Sequence, residues 1–301
     1  MGRYKIGDIT LIWHEGNWPL HQDDFMEQFV IIEEESGPLQ DSIIYKSQSD
    51  TMEKYIAGEL LQKNGMYELY QTPKGRFIVY HWATCRFAFG FWLESLEWDH
   101  EVVCYFHPNM AEQIPLDAVR FFSCAGLHSK LLQKSAIVFH ASYIDWNGNA
   151  ILFAGHSGVG KSTQASLWEK HAGAEIINGD RALLRKKEGK WHSYGYPCCG
   201  SSAICINRTL PLLAVVLLEQ GEENRIEMLS MSQKIRIFLS GSEMYLWSTK
   251  EFDRVYEIAK ALCQEILIIK LVCRQEQEAV TLLKNILEGY SNGENIGLFI
   301  S

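Results

Sequence analysis

The stretch Gly155-His156-Ser157-Gly158-Val159-Gly160-Lys161-Ser162-Thr163 leaves the chain few ways to fold around it. It fits G-x-x-x-x-G-K-[ST] over its full length. Before it, Ala150-Ile151-Leu152-Phe153-Ala154 is a short apolar run that reads as a buried strand. After it, Thr163 to Lys170 holds good helix formers with no Gly or Pro. Strand, glycine loop and helix together point to a phosphate site in an α/β domain. Gly155, Gly158 and Gly160 let successive N–H groups wrap around phosphate oxygens, and the helix beginning near Lys161 turns its positive end to the same anion. By this reading the whole run, with His156, Ser157, Val159 and Thr163 included, cradles a nucleotide. Lys161 reaches the β- and γ-phosphates, and the Ser162 hydroxyl ligates Mg²⁺. His156 occupies a variable position of the loop and is expected to be exposed.

At 301 residues the chain has room for two domains. A net charge of −9 argues against a nucleic-acid or anionic-membrane partner, which wants a basic face. The apolar runs are too short for a membrane span, Met1 to Asp8 leads straight into a strand-like segment, and eight cysteines show no zinc spacing; the expectation is a cytoplasmic protein with reduced thiols. A homo-oligomer is compatible with this composition.

Residues 1–116 read as a β-rich domain with α+β character, suited to recognising a substrate or partner, and 117–301 as the nucleotide-binding domain. Arg86 to Leu93 alternates, with Phe87, Phe89, Phe91 and Leu93 on one face; Thr72-Pro73-Lys74-Gly75 marks a hairpin, and Gly37-Pro38 a loop. Leu116 to Lys134 reads as one helix. In the second domain Asn147-Gly148 is a hairpin turn into the strand before the glycine loop. Gly173 reads as a helix cap, and residues 174–180 as a strand delivering Asp180. Hairpins are expected around Glu188-Gly189 and between 212–219 and 225–229. Helices are expected over 252–264 and 275–287, on either side of a strand over 266–273.

Phosphoryl transfer needs a metal and a group that orients or deprotonates the acceptor. Asp180, at a strand end 19 residues after Lys161, is the best placed carboxylate for either job. If the strands flanking Asn147-Gly148 pair, His140 lies level with residues near Gly155, where it is either a proton acceptor, a phosphate ligand or a structural histidine. Arg208, in a loop-like segment between Gly200 and Pro211, is a candidate for the γ-phosphate, with a surface salt bridge as the alternative. Arg181 and Asn207 are further polar candidates.

With these residues in hand, the stretch from His140 to about Glu219 resembles the catalytic domain of HPr kinase/phosphorylase and its relatives, a group similar in turn to ATP-dependent phosphoenolpyruvate carboxykinase. The resemblance rests on Phe139-His140-Ala141, on Gly155 to Ser162, and on Gly179-Asp180-Arg181. It implies a P-loop kinase domain with a mixed sheet and flanking helices. It also implies ATP held by Gly155 to Ser162, Mg²⁺ held by Ser162 and Asp180, and His140 touching the transferred phosphate or managing the proton. Where HPr kinases carry two adjacent acids, this chain has Gly179 before Asp180, and Gly200 to Pro211 lacks the signature segment of true HPr kinases. The expected function is an ATP- and Mg²⁺-dependent kinase acting on a hydroxyl, a serine of a small protein or peptide. The alternatives are a kinase for a small molecule such as free serine, and a nucleotide-gated binding protein without transfer.

Overall fold

The computed structural model describes residues 2–14, 24–31, 42–82, 85–95, 101–110, 118–244 and 249–293. The chain divides into two units, Met1–Lys130 and Leu131–Ser301.

In the first unit short turns set the hairpins. Gly7 and Asp8, with φ of 61° and 62°, join β1 (Gly2–Ile6) to β2 (Ile9–His14). After α1 (Asp24–Glu27) come β3 (Ser42–Ser49), β4 (Glu59–Lys63), β5 (Tyr67–Thr72), β6 (Gly75–Trp82), β7 (Cys85–Ser95) and β8 (Glu101–Phe106). They form a sheet in the order β1-β2-β3-β8-β7-β6-β5-β4. Thr72 pairs with Gly75 across Pro73-Lys74, as the turn chemistry predicts. One face is covered by α2 (Ala118–Cys124), whose Phe121 and Phe122 meet Tyr4, Trp13, Tyr45, Phe89 and Phe106. Met52, Phe77, Trp92, Val103 and Tyr105 pack together on the other. Because both faces are covered, β7 is buried from Ala88 to Trp92, not only at Phe89 and Phe91. The side chains of Phe87 and Leu93, and the Gly37-Pro38 turn, lie outside the described residues.

The helix expected over 116–134 is two helices. Residues 116 and 117 lie outside the described residues. Gly126, at φ 75°, separates α2 from α3 (Leu127–Gln133). The division also falls later than the expected 116, because the Phe pair of α2 is committed to the first sheet.

The second unit is built on two long strands which, among the described residues, pair with four and with three others. β9 (Ala136–Trp146) runs back through Asn147-Gly148, with φ of 53° and 77°, into β10 (Asn149–Ala154). Then come α4 (Lys161–Ala172), closed by Gly173 at φ 67°, β11 (Glu175–Asn178), β12 (Arg181–Lys187), β13 (Lys190–Tyr194) and β14 (Thr209–Gln220). β15 (Arg225–Met228), α5 (Met231–Gly241), β16 (Ser242–Glu243), α6 (Thr249–Glu265), β17 (Leu267–Cys273) and α7 (Gln277–Ser291) complete it. β10, β14 and β17 lie parallel, and their alternating side chains feed two cores. Ile151, Phe153, Val216 and Ile269 meet Ala165 and Trp168 of α4 and Leu283 and Ile286 of α7. Leu152, Val215 and Ile268 meet Phe238 of α5 and Ile258 and Leu262 of α6.

The fold is therefore mixed α/β, with two large mixed sheets. The expected hairpin between 212–219 and 225–229 does not form: β17 enters between β14 and β15, parallel to the first and antiparallel to the second. No helix among the described residues is long and apolar enough to cross a membrane.

Candidate functional site

The C-terminal ends of the parallel strands open onto the glycine loop, the crevice position where open α/β sheets bind ligands. Gly155, Gly158 and Gly160 take φ of 145°, 79° and 109°, all closed to ordinary side chains. A Cβ at Gly160 would stand 2.5 Å from Nε2 of Gln275, the end of a flexible side chain just beyond β17, so the backbone angle and not space is what calls for glycine there. The loop turns on a bond from Val159 N–H to the His156 carbonyl, 3.3 Å, and the helix begins with Gln164 N–H donating to the Gly160 carbonyl, 2.8 Å. Gln220, at the end of β14, donates to the Val159 carbonyl at 3.4 Å. Val159 is buried among the apolar residues under α4, whereas His156, Ser157, Ser162 and Thr163 are exposed. Free first-turn amides of α4 face the same opening and favour an anion there.

Lys161 curls back into the loop, donating from Nζ to the carbonyls of Gly155 (3.1 Å) and His156 (3.3 Å). Burial holds its pKa below the ordinary lysine value, with Asp180 pulling it back up. A buried, desolvated ammonium beside amide donors is a strong attractor for phosphate.

The strand register carries the other groups to this edge. Ala141 pairs with Ala154, so His140 stands level with Gly155, and Arg181 pairs with His140. Asn178, fully buried at the end of β11, accepts at Oδ1 from the N–H groups of Asp180 (2.9 Å) and Arg181 (2.8 Å). Its Nδ2 donates to the carbonyls of Tyr196 and Cys198 at 2.8 and 3.1 Å. Ser142 Oγ donates to the Gly179 carbonyl at 2.8 Å. The bend that presents Asp180 is thus fixed from both sides. Gly179 cannot carry a side chain here, because a Cβ would lie 2.1 Å from Ser202 Oγ and 2.3 Å from its Cβ. With Ser202 in this place, a side chain such as an acid does not fit before Asp180.

Asp180 Oδ1 lies 3.2 Å from His140 Nε2, and its Oδ2 accepts from Arg181 Nη1. Arg181 is held in turn by Glu243 through Nε and by Cys198 Sγ, 3.1 Å from Nη1. Burial is the largest cause of a lowered His140 pKa; Asp180 opposes it, Lys161 and Arg181 deepen it, and Glu243 opposes it again. His140 is therefore neutral near pH 7. A carboxylate only accepts, so Nε2 carries the hydrogen toward Asp180 and Nδ1 is left to accept a proton. Burial also acts against Arg181, yet Glu243, Cys198 and Asp180 together keep its pKa above the ordinary value.

The structure thus brings together Lys161, His140 and Asp180 with the glycine loop, and adds Arg181 and Glu243. Arg208 is not brought there. Its guanidinium pairs with Asp145, 3.3 Å, and with Glu175, toward the end of β9. Asp145 and His140 are five residues apart on that strand, roughly 16 Å. The reason is directional: Arg208 precedes β14, and β14 runs parallel to β10, so its start faces away from the loop. Glu243 was invisible in the sequence reading, 62 residues from its partner Arg181. The nearest signal was Ser230-x-x-Gln233, which forms a full capping box and marks the start of the helix leading to it.

A family model described as SynChlorMet cassette protein ScmC matches residues 102–276. The chain belongs to the ScmC family. The matched stretch holds every residue of this site, from His140 to Gln275. ScmC is a different family from the HPr kinases that the motifs resemble. No curated protein matches the chain. Among solved structures, the HPr(Ser) kinase/phosphatase from Coxiella burnetii is 10% identical, over 52% of this chain and 95% of that one, with a TM-score of 0.28. So slight a likeness transfers neither fold nor activity, and neither rests on it.

Proposed function

We propose that this ScmC-family chain is an ATP- and Mg²⁺-dependent phosphotransferase that passes the terminal phosphoryl group to a hydroxyl, the acceptor being a serine of a small protein or peptide. The observation that carries this is the meeting of three unlike groups at one strand edge: Lys161 folded into the glycine loop, Asp180 on its fixed bend, and His140 against Asp180.

The residues present fit the two groups the reading requires. Gly155 to Thr163 would hold the nucleotide phosphates through main-chain amides and Lys161. Mg²⁺ would be held by Ser162 and Asp180 together with phosphate oxygens. Among the described residues no cluster of three His, Cys, Asp or Glu side chains forms a metal cage. Magnesium needs none, since it commonly takes one or two carboxylates plus substrate phosphates. Bound there, it supplies neutralisation of phosphate charge.

Transfer then divides among the chain's own groups. The acceptor oxygen bonds to the terminal phosphorus, and the bond from that phosphorus to the diphosphate breaks, its electron pair leaving with the diphosphate. The hydroxyl proton goes to Nδ1 of His140, whose imidazolium Asp180 stabilises. Arg181, anchored by Glu243, takes the charge-stabilising role first expected of Arg208. Tyr194 and Tyr196 are each only 2% exposed, so neither offers a surface to a small metabolite.

Incubation with γ-labelled ATP, Mg²⁺ and serine-containing peptides tests the reading. Label on a peptide hydroxyl is expected. Bound nucleotide with no label on any acceptor would replace it with nucleotide-gated binding.

A further inference from the structure

The first unit holds a cavity of about 480 Å³, with Gln48, Tyr55, Thr72, Pro73, Trp92 and Tyr105 among its lining. Its volume lies within the range of small-molecule sites, roughly 300–1,000 Å³. The floor is aromatic. Trp92 and Tyr105 are buried, and the Tyr55 ring lies 4.3 Å from that of Tyr105 and 6.1 Å, near perpendicular, from that of Trp92. Packing against Met52, Phe77 and Val103 holds these rings in place. A flat guest therefore meets stacked and edge-on contacts that are already set, with little ordering left to do.

The charges around the hollow are already matched. The Lys54 ammonium bends over the Tyr55 ring, 5.1 Å from its centre, and pairs with Asp50 at 2.5 Å. Asp50 also accepts from the Tyr55 hydroxyl at 2.7 Å and from the Thr51 N–H at 2.8 Å. Lys74, which lines the hollow as well, is engaged in an interaction of its own. A charged guest would give up its water here without meeting a free counter-ion, so the hollow suits a neutral one.

One polar side chain is left to read that guest. Gln48 stands opposite Tyr105 in the register of β3 and β8, so its side chain shares a face with that ring. It is exposed, and among the described residues its carboxamide makes no hydrogen bond. A carboxamide both donates and accepts, and so matches a second carboxamide in a reciprocal pair. A carboxylate guest only accepts and would make half of that pair.

We propose that this cavity binds a neutral, planar aryl carboxamide, its ring against Tyr55, Trp92 and Tyr105 and its amide paired with that of Gln48. The site is separate from the glycine loop and does not depend on the phosphotransferase reading.

Equilibrium dialysis of the full chain against benzamide tests this. Benzoate keeps the ring and charges the head; cyclohexanecarboxamide keeps the head and removes the flat ring. Benzamide should saturate at one equivalent per chain and bind about ten-fold more tightly than either counterpart, the scale of one or two hydrogen bonds or a stacked ring. Gln48→Leu should weaken benzamide by about ten-fold, through loss of the reciprocal pair. Gln48 is exposed, so this variant keeps the fold, which circular dichroism checks. No saturable retention at millimolar benzamide, equal retention of either counterpart, or full retention by the Gln48→Leu variant would each overturn the assignment.

Discussion

Two places along β9, its middle at His140 and its end at Asp145, carry nearly the same arrangement of charges. At the first Arg181 is held between Asp180 and Glu243; at the second Arg208 is held between Asp145 and Glu175. What separates them is their surroundings. The Arg181 side chain is 22% exposed and shares its edge with His140 and a buried Lys161, beside the N-terminus of a twelve-residue helix. The Arg208 side chain is 37% exposed, and its partner Glu175 is 51% exposed. An arginine between two acids is therefore not a site by itself. It becomes a candidate where burial strengthens its field and where the strand ends face the glycine loop.

The sharpest way to break this comparison is to remove each arginine in turn. Arg181→Ala should lower the rate of phosphoryl transfer by about 10³-fold, the scale of a charge-stabilising arginine. Arg208→Ala should leave that rate within about two-fold, since an exposed pair far from the reaction carries no transition-state charge. Equal losses in the two variants would erase the distinction between the two places.

Next in size is His140→Ala, expected to reduce kcat by about 10²-fold while nucleotide affinity stays level, as for loss of a general base. The pH profile adds a sign. Burial holds the His140 pKa below the ordinary histidine value of 6.5, and the proposed general base is its neutral form, so the rate should fall as pH drops through that lowered pKa and stay flat above it. The same shift acts on stability. The unfolded chain takes up the proton first, so the contribution is intact above about pH 6.5 and is lost as pH falls through the folded value. A rate that rises on acidification would assign His140 a charged, phosphate-binding role instead.

A smaller effect tests the bend that presents Asp180. Gly179→Ala should destabilise the fold by about 1–3 kcal/mol in denaturant titration, because its new methyl meets Ser202. Smallest of all, Glu175→Gln should change stability by no more than about 0.5 kcal/mol, as its side chain is half exposed and screened. A larger loss there would show that the outer charge cluster is structurally important after all.

Much of this site could be read before any coordinates. The glycine loop declares its own geometry, and the Asn147-Gly148 turn fixes the register that sets His140 level with Gly155. Asp180 followed from a short apolar strand ending in an acid. Arg208 was misplaced because a sequence does not reveal which way β14 runs beside β10; only the parallel pairing puts its start at the far end. Glu243 was missed for a related reason, since it reaches Arg181 through the pairing of a two-residue strand with β9. The insertion of β17 between β14 and β15 is likewise a choice between distant partners that local turn signals do not encode. In the first unit the alternation of β7 was legible, but the allegiance of α2 was settled by ring contacts across the sheet.

The most direct test is titration calorimetry of the full chain with a Mg²⁺-bound, non-hydrolysable ATP analogue, run beside the Lys161→Ala variant. Saturable heat at one equivalent in the parent, lost in the variant, is the expected result. No heat in the parent, or the same heat without Lys161, would contradict a nucleotide site at the glycine loop.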